Sequence, residues 1–149
     1  MLSETISTIE PQSAEWRDKA KHRLDQLTMP HWALGRLMDL AMDLAGMTRS
    51  MRPPVARKAV VTMAGDHGVA AEGVSKYPQE VTGQMVRNFV AGGAGINALA
   101  RCAGAEVVVV DMGVAADLGD LAAAGKIVSR RVAGGTANLA AGPAMSREQ

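Results

Sequence analysis

Two short apolar runs rich in β-branched residues, 59–63 (AVVTM) and 106–111 (EVVVVD), limit the folds open to this chain more than any other feature. Neither alternates polar with apolar positions. Each therefore reads as a strand covered on both faces, as strands of parallel sheets are. Between them the period changes. Val81, Met85 and Phe89 recur at i, i+4 and i+8 on a helix from about residue 78 to 91, and a second helix spans about 94–103. Strand, helices, strand is a βαβ unit, which demands parallel strands and a right-handed crossover. Residues 126–132 supply a candidate third strand.

Upstream the pattern is helical. Residues 1–12 show no periodicity and are expected to form a flexible N-terminus. Ser13 then caps a helix carrying Trp16, Ala20, Leu24 and Leu27. Pro30 separates it from a second helix over 31–45, with Leu34, Leu37, Met38, Ala41 and Leu44 on one stripe and Gly46 as its stop. The predicted organisation is a helical hairpin over 13–47, a basic proline-containing link over 48–58, and an α/β domain over 58–149. The fold class is α/β, a parallel Rossmann-like sheet with flanking helices behind an N-terminal hairpin. Ser146 and Gln149 form a capping-box pattern at the last residues, a helix start with no helix behind it. A truncated, partial α/β domain is the expectation, with a frayed polar tail as the other reading.

Composition narrows the partners. Sixteen Lys and Arg against 15 Asp and Glu leave a net charge of +1, so no bulk field draws the chain to nucleic acid or an anionic membrane. Apolar stretches such as 107–110 fall far short of the roughly 20 residues of a spanning helix. The start, MLSETISTIEPQ, has neither the basic opening nor the apolar centre of a signal peptide. The lone cysteine, Cys102, forbids an internal disulfide or a Cys-based zinc cage and suits a cytoplasmic protein; it is expected as a core thiol.

Chemistry is expected at the carboxyl edge of the first strand, where open parallel sheets bind ligands. Gly65, Asp66, His67 and Gly68 stand there. Asp66 and His67 admit three readings: a metal pair, an acid/base pair, or a set of hydrogen bonds fixing a loop or orienting a substrate. With no further His or Cys beside them, the last outranks the metal. Ser75, Lys76, Tyr77, Pro78, Gln79 and Glu80 then open a helix, with Pro78 suited to its first turn. Tyr77, the only tyrosine, offers a flat face to a ring ligand, and Gln84 two turns on can bond a ring nitrogen. A hydrophobic lid and a solvated glutamine are the plainer alternatives. Gly93, Gly95 and Ala98 match G-x-G-x-x-A but follow a helix rather than a strand, so they read as a helix junction. Gly134, Gly135 and Thr136 form either a phosphate-holding turn or a connection. An α/β hydrolase is disfavoured, because neither G-x-S-x-G nor a His cluster occurs.

The run AGDHGVAAEGVSKYPQEVTGQMVRNFVAGGAGINALARCAGAEVVVVDMGV, followed by GTANLAAGPAMSREQ, closely resembles the nicotinate-nucleotide:dimethylbenzimidazole phosphoribosyltransferases of cobalamin biosynthesis. LGRLMDLA in the hairpin is similar as well, so the resemblance covers nearly the whole chain from about residue 11. Members of that family are about twice as long, and the resemblance implies their N-terminal portion. It implies that dimethylbenzimidazole attacks the anomeric carbon of nicotinate mononucleotide, expels nicotinate and gives α-ribazole phosphate, the lower-ligand precursor of the cobalamin nucleotide loop. It implies a homodimer. Positioning and removal of one proton suffice for this displacement, so no metal or organic cofactor is expected. The general base, a carboxylate near the family's C-terminus, and a Gly-rich phosphate site fall beyond residue 149. No catalytic residue is therefore expected in this chain, and the chain alone should be inactive. Tyr77 and Gln84 match the family's ring-contacting positions, with Ser75 and Lys76 on the adjoining loop; many members carry a small residue where Lys76 stands. Asp66 and His67 are expected to shape the floor. A non-catalytic base-binding or assembly module with the same partial fold is the alternative.

Overall fold

The computed structural model describes residues 2–147, so Gln149 of the capping-box pattern lies outside the described residues. The chain forms two compact units, Met1–Ala56 and Arg57–Gln149. No helix among the described residues is long and apolar enough to cross a membrane.

The first unit holds helices α1 (Leu2–Ser7), α2 (Ala14–Asp25) and α3 (Arg36–Thr48). The six-residue α1 occupies the stretch expected to lack structure, closed by Ser7 and Thr8 hydroxyls bonding carbonyls one turn back. Helix α2 starts as its cap predicts: the Ser13 hydroxyl accepts from the Trp16 N–H at 3.4 Å. Helix α3 begins five residues later than expected, at Arg36, because Trp32 (φ 53°) and Gly35 (φ 51°) hold the preceding segment in turns. Leu34 and Leu37 are consequently exposed, and Met38 and Ala45 carry the buried face. Gly46 does not stop this helix. It lies inside, and a Cβ there would come 2.7 Å from Arg17 Cγ, so glycine permits the close approach of α2 to α3. The Ser13 N–H donates to the Gly46 carbonyl at 3.0 Å, and the stop falls to Arg49 in the left-handed region.

The second unit runs β1 (Lys58–Gly65), a 3-10 turn (Gly68–Glu72), α4 (Glu80–Ala91), α5 (Gly95–Ala103), β2 (Ala105–Gly113), α6 (Gly119–Ala123) and β3 (Val128–Ser129). The described strands form a sheet of order β1-β2-β3 with both pairings parallel. The register runs from Lys58 opposite Ala105 to Ala64 opposite Asp111; Gly65 then pairs with Gly113, leaving Met112 as an extra residue. Val86 and Phe89 of α4 pack with Ala64, Val107 and Val109 of the strands and with Val114, Leu118 and Ile127. Each of the buried Val, Leu and Ile side chains in this cluster contributes about 1.5–3 kcal/mol by leaving water.

Three expectations need correction here. The third strand is two residues long rather than seven, because β2 bulges at Met112 and the chain past Ser129 makes only scattered bonds to it, Arg130 N to Asp111 O and Val132 N to Met112 O. The strands are not covered evenly: Val61 and Met63 on the edge strand β1 are 51% and 69% exposed. Cys102 is exposed rather than in the core, because Asn97 and Ala100 form the buried stripe of α5 and Cys102 lies far round the helix from them. The glycine-rich stretch between α4 and α5 is a helix junction as read. Asn97 ties it, accepting from the Ala94 N–H at 3.1 Å and donating to the Phe89 carbonyl at 3.0 Å.

Candidate functional site

The carboxyl ends of β1 and β2 are held by two buried aspartates. Asp66, 5% exposed, accepts the Ala115 N–H on Oδ2 at 2.7 Å; its own N–H donates to the Gly113 carbonyl, and its carbonyl accepts from Thr136 N, both at 2.9 Å. Asp111, 3% exposed, accepts the N–H groups of Gly113 and Val114 on Oδ1 at 3.0 and 2.9 Å. Charged acceptors on backbone donors are strong bonds, and here they fold the loop after β2 back toward β1. Of the three readings open for Asp66, this geometry matches the loop-fixing one. His67 is exposed and bridges to Thr136, with Nδ1 3.4 Å from the Thr136 hydroxyl and the Gly68 N–H donating to the Thr136 carbonyl at 3.0 Å. In the 134–136 turn the Thr136 N–H is taken up by the Asp66 carbonyl. Among the described residues no group of three or more His, Cys, Asp or Glu is arranged to hold a metal.

Helix α4 separates two hollows. One, of about 510 Å³, lies against the end of β1 and includes Asp66, His67, Ser75, Tyr77, Met85 and Phe89 in its lining. The Ser75 hydroxyl shapes this loop, donating to the Tyr77 carbonyl at 3.0 Å and accepting from the Tyr77 N–H at 3.2 Å, while the Tyr77 ring stays 73% exposed. The other, of about 300 Å³, is lined by Gln84 with Gly83, Arg87, Ala115, Ala116 and Asp117. Gln79 lines both. The structure therefore brings Asp66, His67, Ser75 and Tyr77 together, sets Gln84 on the other face of α4, and leaves Lys76 in neither lining. A third hollow of about 390 Å³ includes Asp66, His67, Met112, Thr136 and Met145.

Sequence reasoning passed over Gln79, Arg87 and the 115–117 wall. Gln79, Gly83 and Arg87 stand at i, i+4 and i+8, a helical stripe visible in the sequence, whereas nothing local marks Ala-Ala-Asp as a wall. Gly83 matters through its missing side chain, since a Cβ would stand 2.8 Å from Ala116 Cβ. Arg87 grips the same loop with a two-pronged contact: Nη1 donates to Asp120 Oδ2 at 2.7 Å, and Nη2 to Asp120 Oδ1 at 3.0 Å and to the Asp117 carbonyl at 3.4 Å.

The hydrogen bond from Arg87 holds the Asp120 carboxyl below the usual carboxylate range and raises the guanidinium in turn. A lowered folded-state value means that the pair stabilises the fold above the pH where a free aspartate titrates, about 4, and that this is lost as pH falls through the lowered value. Both groups are solvated, so the effect is small. Thermal melts from pH 7 to 3 are expected to show a slightly shallower acid loss for Asp120→Asn than for the parent; identical slopes would remove the ion pair from the stability of this unit.

A family model described as Phosphoribosyltransferase matches residues 9–149. A nicotinate-nucleotide-dimethylbenzimidazole phosphoribosyltransferase of Syntrophotalea carbinolica is 66% identical over 149 residues, which is 100% of this chain and 42% of that protein. Its counterpart from Desulfotalea psychrophila is 63% identical over 147 residues, 99% of this chain and 41% of that protein. The crystal structure of the enzyme of that name from Thermus thermophilus aligns with a TM-score of 0.80 at 50% identity, covering 91% of this chain and 40% of that one. The chain thus spans about two-fifths of the length of the relatives it matches.

Proposed function

The chain belongs to the phosphoribosyltransferase family, and from that membership we propose that it carries the N-terminal part of an enzyme that moves the ribose phosphate of nicotinate mononucleotide onto dimethylbenzimidazole. The observation that carries this reading is the 66% identity, along the whole chain, to a relative bearing that name. The geometry is compatible with it. Displacement at an anomeric carbon needs a ring base held in one orientation, and the loop before α4 presents an aromatic face at Tyr77 while the helix start offers carboxamides at Gln79 and Gln84 beside two hollows.

In this reading the base-binding set is Ser75, Lys76, Tyr77 and Gln84, with Ser75 and Tyr77 at one hollow, Gln84 at the other across α4 and Lys76 on the adjoining loop outside both. Asp66 and His67 shape the site through the loops that they hold. The general base and the phosphate holder come from the part of the relatives that this chain does not span. The enzyme is a cytoplasmic homodimer acting on small molecules, without nucleic-acid or membrane partners, and assists the synthesis of the cobalamin lower ligand.

The test pairs binding with turnover. Tyr77→Ala and Gln84→Ala are expected to weaken dimethylbenzimidazole binding by about 1–3 kcal/mol, roughly ten- to a hundredfold, with nicotinate mononucleotide affected less. Nicotinate release from the mononucleotide should be absent with the chain alone and appear when the C-terminal remainder of a close relative is added. Loss of nucleotide affinity with base affinity retained would mean the base site is elsewhere. Failure to release nicotinate in the mixture would sink the transferase reading, and turnover by the chain alone would move the chemistry onto Asp66, His67 or Glu80.

A further inference from the structure

The smaller hollow has one wall from α4 and one from the loop after β2, and the two are fixed to each other at more than one point. The Asp66 carboxylate holds the Ala115 N–H, at the start of the wall. Arg87 holds its other end through the Asp117 carbonyl and both oxygens of Asp120. The Asp117 carboxylate is occupied too, accepting the Gly119 N–H at 2.9 Å. Between these anchors Gly83 lets Ala116 come against the helix.

The chemistry of the space is selective. At about 300 Å³ it is at the lower end of ligand-sized pockets and suits a bicyclic heteroaromatic better than a nucleotide with its sugar and phosphate. Two carboxamides, Gln79 and Gln84, each offer both a donor and an acceptor, as a ring with one N–H and one bare nitrogen requires, and Glu80 adds a carboxylate that accepts from an N–H and disfavours an anion. Arg87, in contrast, has its fork committed to Asp120, so it is poorly placed to recruit an anion.

We propose that the Arg87–Asp120 clamp is a positioning device for the Gln84 side of the base site: it sets the separation between the Gln84 carboxamide and the Ala115–Asp117 wall, and thereby the affinity for a small planar nitrogen heterocycle. Arg87 acts through the wall and does not touch the ring. The inference rests on the base-transfer reading above and extends it to residues outside the ring-contacting set. Because the fork geometry and not only the charge does the holding, lysine at position 87 replaces it incompletely.

The experiment is equilibrium titration of the protein with dimethylbenzimidazole and, separately, with nicotinate mononucleotide. Arg87→Ala and Asp120→Ala are each expected to weaken base binding about tenfold, Arg87→Lys by less, with nucleotide binding within about twofold of the parent. The reversed pair Arg87→Asp with Asp120→Arg should recover most of the base affinity. Added salt gives a readout that needs no variant, since screening an exposed ion pair should weaken binding of the uncharged base by the parent and leave Arg87→Ala unaffected. Parental base affinity in both alanine variants, or equal loss of both ligands, would overturn the positioning role while leaving the base-transfer reading intact. No base binding by the parent itself would instead overturn that reading, and the clamp's role with it.

Discussion

Replacing Leu118 with alanine is expected to lower the unfolding free energy of the sheet unit by about 2–5 kcal/mol, read as a shift in denaturant midpoint at unchanged slope. Leu118 is 2% exposed and packs with Val86, Val109, Val114 and Ile127. Truncation removes the transfer energy of its lost carbons and leaves a cavity that four β-branched neighbours, stiff at χ1, fill poorly. Its carbonyl also accepts the Leu121 and Ala122 N–H groups at 3.1 Å, so the residue that fills the core also starts α6. Domains of this size are stable by about 5–15 kcal/mol, which makes the loss a large fraction of the total. Leu118→Met keeps the volume and should cost less than about 1.5 kcal/mol. If the alanine variant loses no more than the methionine one, the loop after β2 is not part of the core.

Asp111→Ala is expected to cost about 3 kcal/mol or more. One buried carboxylate oxygen accepts both the Gly113 and the Val114 N–H groups, and hydrogen bonds to a charged acceptor contribute about 1.5–3 kcal/mol each. Alanine leaves two donors without a partner beside a side chain only 3% exposed. Asp111→Asn retains an acceptor at the same place and should cost about half as much. Chemical denaturation of the two variants checks this directly, and equal losses would mean that the negative charge of the carboxylate, which asparagine lacks, and not merely an acceptor at that place, is what the loop needs.

The βαβ unit was legible because its cues are local. Four consecutive valines at 107–110 and the i, i+4, i+8 spacing of Val81, Met85 and Phe89 leave few alternatives, and α4 and α5 begin within two residues of expectation. Errors arose where a residue type has two uses. Gly46 looked like a stop, but its lack of a side chain serves helix contact; Cys102 is commonly a core residue, but α5 buries the stripe through Asn97 and Ala100 instead. Asp66 and His67 were placed correctly at the sheet edge, since a strand end announces itself. The separation of Gln84 from Tyr77 was not legible, because it depends on a wall that arrives from the loop after β2, and no pattern around Ala115 or Ala116 foretells what they will face.

Parallel pairing has a consequence for the order in which this unit can be made. Asp66 reaches Ala115 across 49 positions, His67 reaches Thr136 across 69, and Arg87 reaches Asp120 across 33. Each of these loops must close before its contact returns any free energy, and such long closures place parallel α/β units among the slower folders. The smaller hollow, walled on one side by Ala115, Ala116 and Asp117, is therefore complete only after β2 has docked on β1. A ligand that enters there recognises only the finished unit. At a hundred times its dissociation constant such a ligand would add about 2.7 kcal/mol to the stability of that unit by mass action.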